Sequence, residues 1–179
     1  MKNPVTEICD LNSELPPDAP DAPQWLVDAL QVPREEGWVT SEGCDVHYFR
    51  WGDPANPPLL LMHGFLAHAR CMAFIAPFLA EQYHVVAYDL SGMGDSGVRS
   101  SYPDAIRAQE VVDVARETGL FDHAMKPIVI AHSYGGHVGL AAMNDFHELF
   151  SGLVICDLMV LRPERLKAHF GGGRPMRSD

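Results

Sequence analysis

Basic residues are scarce in this sequence of 179 residues: 13 Lys and Arg stand against 24 Asp and Glu, which gives a formal net charge of -11. The basic residues form no cluster along the chain. Because neutralising a phosphate backbone requires grouped Lys and Arg side chains, this composition argues against a nucleic-acid partner.

Long apolar runs are missing as well. No segment approaches the roughly 20 apolar residues that cross a bilayer. The N-terminus is polar and rich in proline, and it has no apolar core of the kind found in signal peptides. We therefore expect neither a membrane partner nor export.

Cysteine pairs and metal-binding spacings are also absent. The four cysteines, Cys9, Cys44, Cys71 and Cys156, include no C-x-x-C pair, so the sequence indicates neither a zinc site nor a disulfide framework. Scattered thiols suit a reducing compartment, and we predict a cytoplasmic location. The nine histidines lack the i, i+4 helical spacing of zinc ligands, so we expect no metal.

The sequence does hold enough apolar residues, 47% of the total, to bury one substantial core in a single domain. Residues 1–23 are acidic and rich in proline, which is typical of a flexible extension. We expect the core over residues 24–157. Residues 158–179 are expected to begin a cap or lid, or to form a disordered tail. The sequence leaves the oligomeric state open.

Local patterns predict the elements of this core. The first predicted elements are a helix at 24–31 and a hairpin at 37–41 and 44–51, turned at Glu42-Gly43. Two further helices are predicted at 73–82 and 103–118, the second capped near Ser101. A last strand is expected at 153–156. This order predicts an α/β fold in which an antiparallel hairpin leads into a mostly parallel sheet flanked by helices. The site should lie at the carboxyl ends of the strands.

The most informative stretch is residues 126–140, KPIVIAHSYGGHVGL. A short β-branched run is typical of a strand covered on both faces, and the chain must then reverse at Ser133 into a helix. So sharp a turn brings Ala131 and Gly135 close together, and only small residues fit there. The backbone N–H groups of the helix's first turn point at whatever Ser133 attacks. The pattern therefore favours Ser133 as a nucleophile over a small residue that merely allows the turn.

Two further segments end in glycine turns. The apolar run 58–62 leads into His63-Gly64-Phe65, where a free N–H could face the same site. The run 84–88 leads into Asp89 and a glycine-rich bend with the sequence DLSGMGDS. Both segments fit strands whose carboxyl ends lie beside the turn at Ser133.

These three ordered motifs resemble the α/β-hydrolase superfamily over residues 39–157. The resemblance implies an α/β-hydrolase fold, apparently truncated before its last strands. It also implies a serine hydrolase that acts on a small ester, thioester or related acyl substrate through an acyl-enzyme, without a cofactor. Members that open epoxides carry an aspartate where this sequence has serine.

In the mechanism that this resemblance implies, Ser133 attacks the acyl carbonyl, and the N–H groups of Phe65 and Tyr134 hold the oxyanion. His63 and Gly64 support the loop, and His63 does not act as the base. The glycines and polar residues of the bend after Asp89 are expected to form loop architecture. His132 and His137 are placed unsuitably for the base.

Members of this superfamily carry a catalytic acid and a catalytic histidine after the serine, which together form a triad. This sequence offers no complete set of the two. Asp157 is a candidate acid, or alternatively an ordinary polar residue that ends a strand. His147 and His169 follow Ser133, but both lie in segments with helical patterns and neither is named as the base. Two explanations stay open: the chain is the amino-terminal part of a larger hydrolase, or it is a catalytically inactive protein with a ligand-binding or structural role. In either case we expect weak or no turnover from these 179 residues, because the catalytic histidine is missing from them.

Overall fold

The structure, a computed structural model, describes the backbone of residues 7–8 and all of residues 22–158. Its strands are β1 (Glu7–Ile8), β2 (Glu35–Ser41), β3 (Cys44–Trp51), β4 (Pro58–Met62), β5 (His84–Tyr88), β6 (Ile128–His132) and β7 (Gly152–Cys156). Its helices are α1 (Gln24–Leu30), α2 (Ala76–Ala80), α3 (Asp104–Glu117) and α4 (Tyr134–Phe146), with 3-10 turns at Ala69–Met72 and His147–Leu149.

All seven of these strands join one sheet in the order β1-β2-β3-β5-β4-β6-β7. The pairs from β1 to β5 are antiparallel, and the pairs among β5, β4, β6 and β7 are parallel. The predicted hairpin leading into a mostly parallel sheet with flanking helices is therefore confirmed.

The centre of the sheet is apolar on both faces. Every residue of β4 and β5 is buried, which is why these strands are continuous apolar runs without alternation. Leu60 packs with the cluster that includes Val129 on one face, while Leu61 packs with the cluster that includes Val85 on the other. Two helical layers therefore cover the sheet and fix the strand ends where the motifs begin.

The hairpin turns where the sequence predicts. Glu42 has a φ of 45° and Gly43 a φ of 73°, and Ser41 pairs with Cys44. Two successive positive φ angles match the right-handed twist of the flanking strands. Strand β2 begins at Glu35, two residues before the predicted start.

Two helices differ from their predicted bounds. Helix α2 covers only Ala76–Ala80, because Pro77 fits the first turn of a helix and not its interior. A separate 3-10 turn at Ala69–Met72 precedes it. Helix α3 begins at Asp104, and its N-cap is Pro103, with no side-chain hydrogen bond at the cap. Ser101 is therefore not the cap, since the fixed φ of Pro103, -66°, already prepares the chain for the first turn.

The ends of the chain are described only in part. Within the predicted extension, Glu7–Ile8 pair with Glu35 and Glu36 on the edge of the sheet. The expected cap or tail over residues 159–179, including His169, lies outside the described residues, as do residues 1–6 and 9–21. In the described part of the chain, no helix combines the length and apolar character needed to cross a bilayer.

Candidate active site

Ser133 stands alone between a strand and a helix. Strand β6 ends at His132, helix α4 begins at Tyr134, and Ser133 has a φ of 49° and a ψ of -116°. This conformation is sparsely populated by residues other than glycine, and such outliers persist only where the surroundings hold them. The N–H of Ser133 donates to the carbonyl of Cys156 at 3.0 Å, and its own carbonyl accepts from Gly136 at 2.8 Å. The predicted sharp turn is therefore present.

The turn at Ser133 and the loop after β4 approach each other closely at two glycines. A Cβ on Gly135 would lie 2.6 Å from the carbonyl oxygen of His63. A Cβ on Gly64 would lie 2.9 Å from Nδ1 of His132 and 3.3 Å from Cβ of Ser133. Glycine at both positions is what allows the two backbones to approach each other.

Phe65 and Tyr134, the two predicted oxyanion donors, are neighbours in the structure. Their rings meet edge to face with centroids 5.7 Å apart. Phe65 is exposed and Tyr134 is half-buried, so the pair forms a wall beside Ser133. The next residue, Leu66, has a φ of 56°, which turns the chain away from the site directly after Phe65.

His63 has both ring nitrogens engaged and is 1% exposed. Its Nε2 lies 3.0 Å from the N–H of Leu90, which can only donate, so Nε2 accepts and Nδ1 carries the hydrogen. Nδ1 donates to the carbonyl of Gly64 at 2.7 Å. Burial, assisted by other charges that include Arg107, lowers the pKa of His63 below 6.5, which keeps this neutral form. Neither nitrogen is left to take a proton from Ser133.

The contact between His63 and Gly64 also orients the next peptide. In a trans peptide the N–H points opposite to the carbonyl, and cis peptides are absent from the described backbone. Fixing the Gly64 carbonyl therefore fixes the direction of the Phe65 N–H.

Asp89 ties the loop after β5 to the loop after β4. Its carboxylate accepts from the N–H of Ala69, from Nδ1 of His47 at 2.8 Å and from the N–H of Asp95 at 2.9 Å. Burial alone would raise the pKa of Asp89, but these hydrogen bonds outweigh it and lower the pKa below 3.8. Ser96 adds a hydrogen bond to the Asp89 carbonyl at 2.6 Å.

The sequence profile described as "Alpha/beta hydrolase family" matches residues 59–178, which is well over half of the chain and includes all three motifs. The chain belongs to the alpha/beta hydrolase family.

Individual alpha/beta hydrolases resemble it over part of their length. An uncharacterized hydrolase of Saccharomyces cerevisiae, YNR064C, is 36% identical over 114 residues, which cover 63% of this chain and 38% of that protein. A soluble epoxide hydrolase of Corynebacterium sp. is 32% identical over 118 residues, which cover 65% of this chain and 39% of that protein.

A solved structure agrees with these matches. A membrane phospholipase A, described as a bacterial virulence factor, superposes with a TM-score of 0.66 at 31% identity, over 73% of this chain and 41% of that one. The chain thus spans about two fifths of the length of these alpha/beta hydrolases.

Asp157, the candidate acid of this alpha/beta hydrolase, follows β7 beside the turn. It is exposed and has a φ of 57°, and the preceding residue, Cys156, accepts the N–H of Ser133. His147 lies in the 3-10 turn after α4, where it is 3.7 Å from Glu148 and largely exposed. Over residues 22–158, no histidine nitrogen hydrogen-bonds the Ser133 hydroxyl, so Asp157 is the one predicted acid or base candidate that the structure brings to the turn.

One group of side chains in the described part of the chain has the spacing to hold a metal ion. Ligand atoms of Glu36, His47 and Asp95 lie within 4.8 Å of one another. Arg70 already contributes a positive charge there, at 2.9 Å from Asp95 and 3.8 Å from Glu36. The group is therefore a network of ion pairs, and no metal is assigned to it.

Sequence analysis missed a buried charge cluster on α3. Arg107 is 3% exposed and Glu110 is 0% exposed, although both belong to a helix whose apolar face carries Val111 and Val114. Two charged residues at i, i+3 spacing on the apolar face of a helix were the available signal.

Proposed function

We propose that this chain carries the nucleophile of a serine hydrolase that acts on a small ester, thioester or related acyl substrate. The observation that carries this proposal is the backbone of Ser133, which is held at a φ of 49° between β6 and α4. Strain of about 1–3 kcal/mol at a residue that is not glycine persists where function requires the geometry. The turn presents the hydroxyl at the carboxyl ends of the parallel strands.

The proposed reaction begins when the Ser133 hydroxyl attacks the acyl carbonyl. A negative charge develops on the carbonyl oxygen, and the N–H groups of Tyr134 and Phe65 stabilise it, each by about 3 kcal/mol in comparable sites. Collapse of the tetrahedral intermediate expels the alcohol or thiol and leaves an ester on Ser133. Water then hydrolyses this ester.

The hydroxyl at position 133 favours acyl substrates over epoxides. The relatives include both a soluble epoxide hydrolase and a phospholipase, so the family alone leaves the reaction open. Attack of a hydroxyl on an epoxide would leave an ether, which water does not cleave, whereas attack on an acyl group leaves a cleavable ester. The residue type at the turn therefore supports acyl transfer.

The base and the acid of this reaction are separate proposals. His63 is unsuited to be the base, because both of its nitrogens are engaged with Leu90 and Gly64. Asp157 is proposed as the acid on the strength of its position after β7. The base is a histidine that none of the contacts in residues 22–158 identifies.

The alternative function is a catalytically inactive alpha/beta hydrolase with a ligand-binding or structural role. What favours it is that, across residues 22–158, the Ser133 hydroxyl has no histidine partner. Removing one member of a triad typically lowers kcat by about 10⁴ to 10⁶. Such a protein would keep a partial oxyanion pocket and bind without turnover.

A fluorophosphonate probe separates the two functions. Because no base contacts Ser133 in residues 22–158, we expect slow labelling, to at most one equivalent, at Ser133. This labelling should be lost in Ser133→Ala and kept in the control Ser100→Ala, since Ser100 is an exposed serine of a loop. Mass spectrometry of the digested protein locates the adduct. A folded wild-type chain that takes up no probe, or a Ser133→Ala variant that is labelled equally, would favour the inactive protein.

The location is also a proposal. Cys44, Cys71 and Cys156 are free thiols, which suits the reducing cytoplasm. Expression of a tagged chain followed by fractionation tests this, and recovery in the secreted fraction would contradict it.

A further inference from the structure

The buried charges at α3 are unbalanced: Arg107 and Glu110 lie on the helix, and Arg99 reaches Glu110 from the loop before it. Oε2 of Glu110 accepts from Arg99 at 3.2 Å, and Oε1 accepts from the N–H of Ser91 at 2.9 Å. Arg107 reaches the same carboxylate only at 3.5 Å. One carboxylate thus faces two guanidinium groups, so the cluster keeps a net positive charge inside the protein.

Arg107 gains little from these partners. Its other hydrogen bond goes to the hydroxyl of Ser91 at 3.2 Å, and its Nε is buried without a hydrogen-bond partner. Burying a cation is costly unless it is well paired, and an apolar side chain of similar volume often serves stability equally well. Arg107 therefore helps to balance the buried Glu110 carboxylate, but its loose pairing leaves its charge free to act on neighbouring groups.

The guanidinium group of Arg107 lies behind the candidate active site. Its Cζ is 5.8 Å from the centroid of the Tyr134 ring and 4.6 Å from that of Tyr102. The ring of Tyr134 also contacts the ring of Phe65. The charge of Arg107 lowers the pKa of His63, although more weakly than burial does, while the hydrogen bond to Gly64 and the charge of Asp89 act in the opposite direction and raise that pKa. Arg107 thus borders the ring of Tyr134, which in turn contacts the ring of Phe65, and its charge acts on His63, the residue that orients the Phe65 peptide.

We propose that Arg107 is a positioning residue of this site: it packs Tyr134 against Phe65 and sets a fixed positive potential behind their N–H groups. This inference rests on the proposed attack by Ser133 and adds a residue that no motif contains. Because the cation is buried, its field is weakly screened by salt and is stronger than that of a surface charge. It stabilises the negative oxygen of the transition state without touching it.

The test separates charge from shape. Arg107→Lys keeps the charge, and Arg107→Met gives an unbranched side chain of nearly the length of lysine without the charge. Arg116→Met is the matched control, since Arg116 is on the same helix with a side chain 53% exposed. The rate of fluorophosphonate attachment to Ser133 is measured at low and high salt. We expect Arg107→Met to react about tenfold more slowly at both salt concentrations, while Arg107→Lys stays within about threefold of wild type and Arg116→Met is unchanged.

Equal rates for Lys and Met at this position, whether both slow or both unchanged, would overturn the inference. Thermal unfolding checks that the variants are folded, and Arg107→Gln replaces the Met variant if that one does not fold.

A second readout does not need a reactive serine. Titration of the His63 ring by NMR should show a higher pKa in Arg107→Met than in wild type, and little change in Arg107→Lys. If the wild-type chain takes up no probe, the proposed function fails, and this titration alone decides the placement of Arg107. An unchanged His63 pKa in Arg107→Met would overturn it.

Discussion

Replacing Ser133 by glycine should stabilise the protein. Backbone strain of the kind seen at Ser133, with φ 49° and ψ -116°, costs about 1–3 kcal/mol at a residue that carries a Cβ. Glycine adopts this conformation without strain, but its greater freedom in the unfolded chain costs about 0.5–1 kcal/mol. The balance is a gain of about 1 kcal/mol in the free energy of unfolding, or about 2–4 °C in Tm.

Two control variants isolate the strain. Ser133→Ala removes the hydroxyl and keeps the Cβ, so its stability should stay within about 0.5 kcal/mol of wild type. Ser100→Gly, at a loop position outside the positive-φ residues, should lower stability because only the unfolded-state effect remains. Urea unfolding at neutral pH measures all three variants. The reasoning is refuted if Ser133→Gly is no more stable than Ser133→Ala.

Three more predictions concern stability around the same strands. Burial, helped by the charge of Arg50, lowers the pKa of His84 from 6.5 to about 4. The unfolded chain therefore binds a proton that the folded chain lacks between these values, and the free energy of unfolding should rise by about 3 kcal/mol as the pH increases from 4 to 6.5. His84→Gln should flatten this dependence in urea unfolding curves, and an unchanged slope would contradict it. Asp89→Asn should lower the free energy of unfolding by about 2–3 kcal/mol at pH 7. Because the pKa of Asp89 is lowered, this loss should shrink as the pH falls below 3.8, and a loss that does not depend on pH would contradict an ionised, hydrogen-bonded Asp89. Gly135→Ala should lower the free energy of unfolding by about 2 kcal/mol and remove most probe labelling, because the new Cβ would meet a backbone oxygen at 2.6 Å. Gly152→Ala, with open space around it, should change neither quantity. Similar results for the two variants would rule out the close approach of the loops.

Much of the central sheet could be predicted from the sequence because local and tertiary preferences agree there. The strands at Pro58–Met62 and His84–Tyr88 are apolar throughout and end in glycine turns. The sequence Glu42-Gly43 supplies the two positive φ angles that its hairpin requires. Around Ser133, the small residues two positions before and after it, Ala131 and Gly135, already indicate a turn too tight for larger side chains.

Other features depend on contacts that the local sequence does not encode. The 3-10 turn before α2 is one example, since Ala69 at its start donates its N–H to Asp89 on another strand's loop. The position of Arg107 and Glu110 on the apolar face of α3 was a signal in the sequence, but their contacts with Tyr134 and Ser91 come from other segments and only the packing reveals them. The hydrogen-bond partners of His47 lie on β2 and after β5, so the sequence did not indicate that His47 joins these two segments.

The free edge of β7 is a property of the described residues. Strand β7 pairs with β6 on one side and, in the range 22–158, has no strand on the other. Val154 on this strand is 49% exposed. Exposed apolar edges of this kind promote association between chains wherever nothing covers them.

The most direct test of the account is to trap the acyl-enzyme. The protein is mixed with an activated ester, quenched in acid within the first turnover, and digested for mass spectrometry. The account predicts an acyl group on the peptide that contains Ser133, and none on that peptide from Ser133→Ala. Acylation found only at other side chains, or at equal levels in both proteins, would contradict the claim that this strained serine is the nucleophile.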